Sequence, residues 1–448
     1  MPTDDLFWPI VTTDDLLAAT GDRAWLTALL DAEAALARAE AAVGVIPVAA
    51  AEAIAETCRT ARFDAGHLGR AARGGGNPVI PLVRQLAETV PPPARDYVHW
   101  GATSQDILDS AATLVARRAG RLIEAEMDRL ADGSADLAQR HRASLMTGRT
   151  LLQPALPITF GLKAAGWLSG VLEARQALRG GLGGLAVQLG GATGTLASLG
   201  SRGPAVVAAF AAELELPEPV MPWHSCRQRM AVLAGALGLA AGTAAKISGD
   251  VALLMQSEVG EASEPSAPGR GGSSSLPQKR NPVGAAAVGA AARRAVGLVG
   301  LFFESLAGEH ERHLTAWPVE WQSLGDLLAL AGGAVARTAE TVAGLEVHTG
   351  AMAGRVQELA GSLLAERVGL LLTGRLGRAA ATAAVGDAAR RAGGTGGAEF
   401  ADALLSDPAV AAVLTRAELD DLLDPAAYLG ATDTWIDRVL ALHAEGAP

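Results

Sequence analysis

The 448-residue chain has little cysteine, few aromatic residues and an excess of acidic over basic residues. Its two cysteines, Cys58 and Cys226, have no metal-binding spacing and cannot form a disulfide framework, so we expect a reducing compartment. A net charge of −11 argues against nucleic acid as a partner, because binding phosphates requires a basic surface. The sequence also contains no nucleotide or metal motif, and we predict neither a cofactor nor a metal.

Signals for export or membrane insertion are also missing from the sequence. The first ten residues, MPTDDLFWPI, are acidic where a signal peptide is basic. The long apolar stretch 231–255 is rich in Ala and Gly and is interrupted by Lys246 and Asp250. We interpret it as a buried bundle helix, not a membrane span, and expect a cytoplasmic protein.

What the sequence does contain favours helices. Half of the residues are apolar but only 4% are aromatic, so Ala, Leu, Val and Gly must fill the core. Helical periodicity dominates, and runs that alternate with period two are absent, so the predicted fold class is all-α. Because 448 residues exceed a single ordinary core, we expect more than one domain.

The spacing of turn residues predicts three helical domains. Shorter helices, broken by clusters of Gly and Pro, are expected over 1–105 and again over 349–448. The central domain, 106–348, contains five long predicted helices, at 106–142, 157–182, 227–259, 282–308 and 314–347. Helices of that length suit an elongated bundle whose faces are buried by other subunits.

The stretch GSSSLPQKRNP, residues 272–282, is the most informative in the chain. The Pro-, Gly- and Ser-rich segment 261–272 before it predicts an unstructured approach, and Pro282 suits the first turn of a helix. A mobile loop that ends at a helix N-terminus would present free N–H groups to an anion. Ser273 is a very weak base near neutral pH and would need such groups, with the Lys279 cation, to stabilise its alkoxide. The alternative is a Ser-rich linker.

Two further segments place polar residues just before a predicted long helix. In the first, His99 precedes Thr103 and Ser104, and helix capping alone explains one of the two hydroxyls. In the second, His224 and Arg227 lie close together in the sequence, although either could be a surface charge. Their clustering at helix starts favours a binding site.

Another polar segment, around Arg149, Thr150 and Gln153, is predicted to be extended and to lead into a helix at residue 157. These side chains offer donors suited to planar carboxylates, and the alternative is a solvated loop.

By contrast, His310 and His313 have no third ligand at metal-binding spacing, so we interpret residues 309–313 as a solvated or salt-bridged helix junction.

Taken in order, these four segments resemble the fumarase/aspartase superfamily. Its signature, GSSxMPxKxNP, is matched by GSSSLPQKRNP except at Leu276. The phrases GATSQDILDS, GRTLLQPALPITFGLKAAGWL, PWHSCRQR and GGGNPVIPLV are most similar to the bacterial 3-carboxy-cis,cis-muconate cycloisomerases, and the resemblance covers nearly the whole chain. It implies three helical domains, a homotetramer around a 20-helix core, and active sites built by segments from three different subunits.

The resemblance also implies roles for individual residues. Ser273 matches the catalytic serine of the superfamily, and His99 is the second candidate catalytic residue. Further family positions match Thr103, Ser104, Thr150, Gln153, Lys279 and Asn281, which we expect to bind substrate carboxylates. We add Arg149, His224 and Arg227 as candidate substrate-binding residues that supply positive potential. Leu151 and Ala286 stand where many members carry the His and Glu of an acid/base relay, so reactions that depend on that His are disfavoured.

Loss of the relay is compatible with lactonisation, in which one carboxylate of the substrate adds across a conjugated double bond and no external leaving group needs protonation. We therefore predict conversion of 3-carboxy-cis,cis-muconate, a small polycarboxylate of aromatic catabolism, to 4-carboxymuconolactone, with Ser273 exchanging the α-carbon proton. The rival prediction is a C–N or C–O lyase of the same superfamily that releases fumarate from a substituted succinate or aspartate-like substrate. A non-catalytic helical scaffold is a third reading.

Overall fold

The computed structural model describes residues 6–393 and 396–446, and the fold is all-α apart from four short strands within that part of the chain. Six helices lie before residue 100: α1 (Trp8–Val11), α2 (Asp14–Thr20), α3 (Asp22–Ala42), α4 (Val48–Thr60), α5 (Ala65–Gly75) and α6 (Val79–Thr89). The middle of the chain forms α7 (Ser104–Arg140), α8 (Phe160–Gly183), α9 (Gly203–Glu213), α10 (Gln228–Leu254), α11 (Val283–Glu304) and α12 (Ala316–Ala343). The last helices are α13 (Thr349–Leu363), α14 (Ala365–Leu376), α15 (Arg378–Ala392), α16 (Gly397–Leu405), α17 (Pro408–Ala411), α18 (Arg416–Leu422) and α19 (Thr432–Ala444).

The five long helices predicted from the sequence are confirmed. They correspond to α7, α8, α10, α11 and α12, and their ends lie within a few residues of the predicted ones. Helix α7 is the longest, with 37 residues, and begins at Ser104 as its polar start predicts. Short helices flank this set on both sides, as expected from the Gly and Pro clusters.

A β-hairpin precedes α8 in the segment predicted to be extended, and its second strand includes residues 157–159, the start of the helix predicted at 157–182. Strand β1 (Leu145–Thr150) pairs antiparallel with β2 (Gln153–Thr159). Pro157 and Thr159 are both buried, which is the spacing of two that a strand produces, so the helix begins only at Phe160. A second pair, β3 (Ala262–Ser263) with β4 (Glu346–Val347), gives regular structure to the start of the segment predicted to be unstructured.

The chain forms two compact units. The first contains residues up to 128 together with 173–246 and 286–338, and the second contains 129–172, 247–285 and the residues from 339 onward. In the first unit α3 packs against α4 and α9. In the second, the β1–β2 hairpin packs against α13, and α14, α15 and α16 surround a separate core that includes Phe400 and Leu404. The division into three domains at residues 105 and 348 stays a prediction.

Within residues 6–393 and 396–446, two helical segments are long and apolar enough to cross a membrane, judged by length and composition only. They are Gln228–Leu254, with 56% of its most apolar window buried, and Val283–Ala307, with 33% buried. In the first, Asp250 accepts a hydrogen bond at 2.8 Å from the Trp167 indole, a polar contact inside the protein. A core helix of a soluble protein meets the same criteria of length and composition. The interpretation of residues 231–255 as a buried bundle helix is compatible with this result.

Candidate active site

The loop before α7 carries His99, one of the two predicted catalytic residues. Its backbone has a φ of 58°, a conformation that is unfavourable for a residue other than glycine. The imidazole Nδ1 lies 2.6 Å from Oε1 of Glu33 on α3, whose side chain is fully buried. Burial alone would lower the pKa of His99, but the charge and hydrogen bond of Glu33 and the charge of Asp106 raise it above its ordinary value.

Asp106, in the first turn of α7, fixes the backbone of two loops. Its carboxylate accepts hydrogen bonds from the N–H groups of Thr103 at 2.9 Å, Gly190 at 2.8 Å and Gly191 at 3.0 Å. The same carboxylate lies 2.7 Å from Nε2 of His224, and both side chains are buried. The expected contact between His224 and substrate is therefore corrected, since its ring is committed to Asp106 inside the protein.

The hydroxyls of Thr103 and Ser104 are each held by a neighbouring side chain. Nη1 of Arg312 donates to Oγ1 of Thr103 at 2.9 Å, and Nη2 donates to the carbonyl of Ala192 at 3.0 Å. Nδ2 of Asn77 donates to Oγ of Ser104 at 3.2 Å. We call the half-buried residues His99, Thr103, Ser104 and Arg312 the Thr103 cluster. This cluster offers two hydroxyls and two basic side chains to an anion.

Arg227, predicted to contact the substrate, is instead buried between two carboxylates. Its side chain is 1% exposed. Its Nη1 lies 2.7 Å from Asp109, and its Nε lies 3.1 Å from Glu320. One guanidinium between two carboxylates adds no positive potential, so the structure corrects this prediction too. Trp317 also donates to Asp109, at 3.0 Å, which completes a buried network beneath the start of α10.

In the second unit, the Arg149 guanidinium already binds a carboxylate of the protein. Its two terminal nitrogens donate to Glu261 at 2.8 and 2.7 Å, and the Glu261 side chain is fully buried. This is the bidentate contact that the sequence analysis expected with the substrate. Arg149 therefore ties β1 to the segment that leads into the serine-rich loop.

The hairpin presents Thr150 and Gln153 at its exposed tip. They flank a two-residue turn, Leu151 and Leu152, in which both residues have positive φ, 49° and 66°. The leucine side chains are 96% and 70% exposed, which is unusual for large apolar groups. We call residues 145–159 the Leu151 hairpin. Leu151 at the tip and Ala286 in α11 have no titratable group, so neither can transfer a proton.

The serine-rich loop has a defined backbone around Ser273. The N–H groups of Ser275 and Leu276 donate to the Ser273 hydroxyl oxygen at 3.4 and 3.2 Å. Two donors aimed at one oxygen would stabilise negative charge on it, as the sequence analysis required. Asn281 closes the loop, since its backbone and side-chain nitrogens donate to the carbonyl of Gly271 at 2.8 and 3.1 Å. We call residues 271–282 the Ser273 loop, and its Lys279 is exposed.

The N-terminus of α11 is not an open anion site. The Glu264 carboxylate accepts the N–H groups of Gly284 at 3.0 Å and Ala285 at 2.8 Å, so an acid of the chain itself occupies the position predicted for a ligand. A Cβ on Gly284 would lie 3.1 Å from that carboxylate, which explains why glycine suits this position. Within the described part of this unit, the predicted anion-binding residues that remain are those of the Ser273 loop and the Leu151 hairpin.

The predicted site residues are divided between the two compact units. The first unit contains His99, Thr103, Ser104, His224 and Arg227. In it Glu33 binds His99, Asp106 binds Thr103 and His224, and Asp109 binds Arg227. The second contains Arg149, Thr150 and Gln153 in the Leu151 hairpin and Ser273, Lys279 and Asn281 in the Ser273 loop. Among residues 6–393 and 396–446, no group of three or more His, Cys, Asp or Glu is arranged to hold a metal ion.

Sequence reasoning missed three residues that shape the Thr103 cluster. Glu33 lies in an ordinary helical pattern far from His99 in the sequence, so no local signal marks it. Asp106 belongs to a phrase used for the resemblance but was assigned no role of its own. Arg312 lies in the stretch interpreted as a helix junction, and its position between two histidines was the only signal available.

A mainly helical chain with a serine-rich loop and two separate groups of polar donors has the features of a lyase-class enzyme. The chain belongs to the lyase family: the family described as Lyase matches residues 10–297, and the one described as Adenylosuccinate lyase C-terminus matches residues 361–439. The resemblance inferred from the signature phrases is thereby confirmed.

Individual relatives of this chain include enzymes with different activities. A 3-carboxy-cis,cis-muconate cycloisomerase of Pseudomonas aeruginosa is 44% identical over 447 residues, covering 99% of this chain and 97% of the relative. A nitrosuccinate lyase of Streptomyces davaonensis is 42% identical over 446 residues, covering 97% and 94%. The crystal structure of 3-carboxy-cis,cis-muconate lactonizing enzyme from Pseudomonas putida matches with a TM-score of 0.91 at 40% identity, covering 99% of this chain and all of that one.

Proposed function

We propose that the chain converts 3-carboxy-cis,cis-muconate to 4-carboxymuconolactone. A carboxylate oxygen of the substrate forms a C–O bond with the conjugated double bond, the electron pair moves onto the α-carbon and its carboxylate, and a proton is added to that carbon. The observation that carries the proposal is a retained Ser273 loop without the relay, because Leu151 and Ala286 cannot protonate a leaving group and lactonisation has none.

Ser273 supplies the proton in this scheme. After transfer its oxygen is an alkoxide, and the N–H groups of Ser275 and Leu276 point at that atom. Asn281 is tied into the same loop, and Lys279 provides an exposed cation. In the assembled site these two residues bind the carboxylate that is conjugated with the reacting bond. The scheme requires neither metal nor nucleotide.

The remaining carboxylates bind the Thr103 cluster and the tip of the Leu151 hairpin. Thr103 and Ser104 donate hydroxyl groups, Arg312 and His99 supply positive charge, and the hairpin tip adds Thr150 and Gln153. His224, Arg227 and Arg149 are positioning residues in this account, since each is paired with a buried carboxylate.

A homotetramer in the cytoplasm is part of the proposal. The long helices expose large apolar side chains, including Leu239 on α10 (58% exposed) and Val296 and Phe303 on α11 (both 53%). Burial of such faces between copies of the chain would remove them from water. Five long helices from each of four chains would form the expected 20-helix core, and sites shared between subunits would join the Thr103 cluster of one chain to the Ser273 loop of another.

The assay that tests the reaction follows the ultraviolet absorbance of the conjugated substrate. Purified protein mixed with 3-carboxy-cis,cis-muconate is expected to remove that absorbance and to give a lactone of the same mass as the substrate. Release of fumarate from nitrosuccinate is measured in parallel. Fumarate release without loss of the muconate absorbance would show that the chain catalyses elimination and not lactonisation.

Elimination is the second candidate because of one specific observation, the 42% identity with a nitrosuccinate lyase over nearly the whole chain. In that reaction Ser273 would remove a carbon-bound proton and the C–N bond would break. The proton chemistry and the carboxylate contacts are shared by both reactions. The two reactions differ because elimination releases a leaving group and lactonisation does not. The parallel assay measures this difference.

The role of Ser273 is tested by Ser273→Ala, with Ser274→Ala as the matched control. Ser274 is an exposed neighbour in the same loop. We expect Ser273→Ala to keep its fold and to lower turnover on 3-carboxy-cis,cis-muconate by about two orders of magnitude or more, because a proton donor is lost. Ser274→Ala should retain most activity. Near-normal turnover by Ser273→Ala would remove this serine from the mechanism.

A further inference from the structure

We propose that Glu33 is a positioning residue for His99, and that the two form a His–Glu pair which presents His99 to a substrate carboxylate as an imidazolium. The inference rests on the proposed function for the identity of the substrate. It assigns a role to a residue on α3 that is remote in sequence from the signature segments. The chain has lost the relay positions at Leu151 and Ala286 but retains a different buried His–Glu contact.

The geometry fixes which ring nitrogen is available. Nδ1 of His99 lies 2.6 Å from Oε1 of Glu33, so it donates to the carboxylate, and Nε2 is left for a ligand. The Glu33 side chain is 0% exposed, whereas 16% of the His99 side chain is reached by solvent. A buried anion on one side and an open edge on the other orient the ring outward. An Nε2–H on an imidazolium is a charge-assisted donor for a carboxylate.

The backbone that carries His99 is in a strained conformation and is closely packed. The residue is held at a φ of 58°. Gly101, two residues on, packs so tightly that an added Cβ would lie 2.7 Å from a methyl group of Leu199. The rings of Tyr97 and Trp100 on either side of His99 are 5.9 Å apart. A strained conformation held by its surroundings is typical of a functional residue.

A second acid on α3, Glu40, interacts electrostatically with Glu33. Glu40 lies seven residues after Glu33, on the same face of the helix, and is completely buried. Neither oxygen of the Glu40 carboxyl has a hydrogen-bond partner in the described part of the chain. Burial, with the negative charge of Glu33, raises the pKa of Glu40 to about 9. Glu40 is therefore neutral near pH 7 and adds no negative charge of its own to this part of α3.

The charges that act on His99 come from two helices. Glu33 on α3 and Asp106 on α7 both raise its pKa, and burial opposes them. Asp106 is also bound by His224 and by three backbone N–H groups, so Glu33 is the acid in direct contact with the ring. Arg312, the other cation of the Thr103 cluster, is engaged with the Thr103 hydroxyl.

The test is a pH titration of His99 followed by NMR of the full-length protein labelled with ¹⁵N at its eight histidines, with His99→Asn used for assignment. In the wild type we expect His99 to carry protons on both nitrogens at pH 6.5, where a free histidine is half-protonated. Glu33→Gln should lower the titration midpoint by about one pH unit or more, because an adjacent anion is removed. Glu40→Gln, the matched control, should leave the midpoint unchanged, because Glu40 is already neutral.

Activity provides a readout that a merely structural residue would not affect in the same way. On 3-carboxy-cis,cis-muconate, Glu33→Gln should lower kcat/KM about tenfold or more and move its alkaline limit to lower pH. Glu33→Asp retains the charge and should recover part of the lost kcat/KM and part of the shift in its alkaline limit. It replaces Glu33→Gln in the test if the glutamine variant does not fold. The same His99 midpoint in the wild type and in Glu33→Gln would overturn the inference. The titration needs no substrate, so it tests the His99–Glu33 pair even if the chain does not convert 3-carboxy-cis,cis-muconate.

Discussion

At the scale of single residues, the chain separates cations that support the fold from cations that remain available to a ligand. Arg227 and Arg149 are each bound to carboxylates with little or no solvent exposure, whereas Lys279 is exposed on the Ser273 loop. His99 combines the two situations, with one ring nitrogen committed to Glu33 and the other open. A cation that is already paired with carboxylates of the protein is less available to a substrate, so we expect its main contribution to be the positioning of the residues around it.

Arg227→Met tests this distinction. Removal of the guanidinium leaves Asp109 and Glu320 buried without a counter-charge, so the free energy of unfolding should fall by about 3–5 kcal/mol. Arg229→Met, at a partly exposed arginine two residues on, should change stability by less than about 1 kcal/mol. Urea unfolding of both variants provides the measurement. Unchanged stability with a raised KM would restore Arg227 as a direct substrate ligand.

At the scale of elements, the groups proposed to bind substrate lie where helices begin and strands turn. Thr103 immediately precedes α7, the Ser273 loop leads into α11, and Thr150 and Gln153 flank the turn of the hairpin. Each position is fixed by an acid: Asp106 binds the backbone before α7, Glu261 binds β1, and Glu264 caps α11. Rigid ends of elements can hold polar side chains accurately without placing them in the core.

Glu264→Ala tests the cap of α11. Without the carboxylate, the first N–H groups of the helix lose their acceptor and the favourable charge at the N-terminus, so the free energy of unfolding should fall by about 1–2 kcal/mol. Turnover should fall as well, because Asn281 and Lys279 lead directly into that turn. Glu346→Ala, at an exposed acid 3.6 Å from Arg280, is the matched control. Equal stability of the two variants in urea would contradict the assignment of Glu264 as a cap.

The elements differ in how well the sequence predicts them. The five long helices are predicted well because their apolar periodicity extends over many turns and their starts are polar. The Leu151 hairpin is missed, because its strands are short, contain Pro154 and Pro157, and turn at two leucines, a pair that carries no turn signal. The burial of His224 and Arg227 is missed because it depends on acids that are distant in the sequence and that only tertiary packing brings close.

At the scale of the whole molecule, a chain with a net charge of −11 is proposed to bind a substrate that carries three carboxylates. Binding then depends on a local excess of positive charge, which the Thr103 cluster and the Ser273 loop each provide in part. These groups belong to different compact units of the chain. We propose that they meet in an oligomer, where the Ser273 loop of one subunit and the Thr103 cluster of another form one site.

The most direct test of that claim is the activity of mixed tetramers formed from two inactive variants, Ser273→Ala and His99→Asn. If each site takes Ser273 and His99 from different chains, random mixing should leave both residues intact in about a quarter of the sites, and activity on 3-carboxy-cis,cis-muconate should return accordingly. Each variant alone should remain inactive after the same dissociation and reassembly. Mixed protein no more active than the average of the two variants would contradict a site shared between subunits.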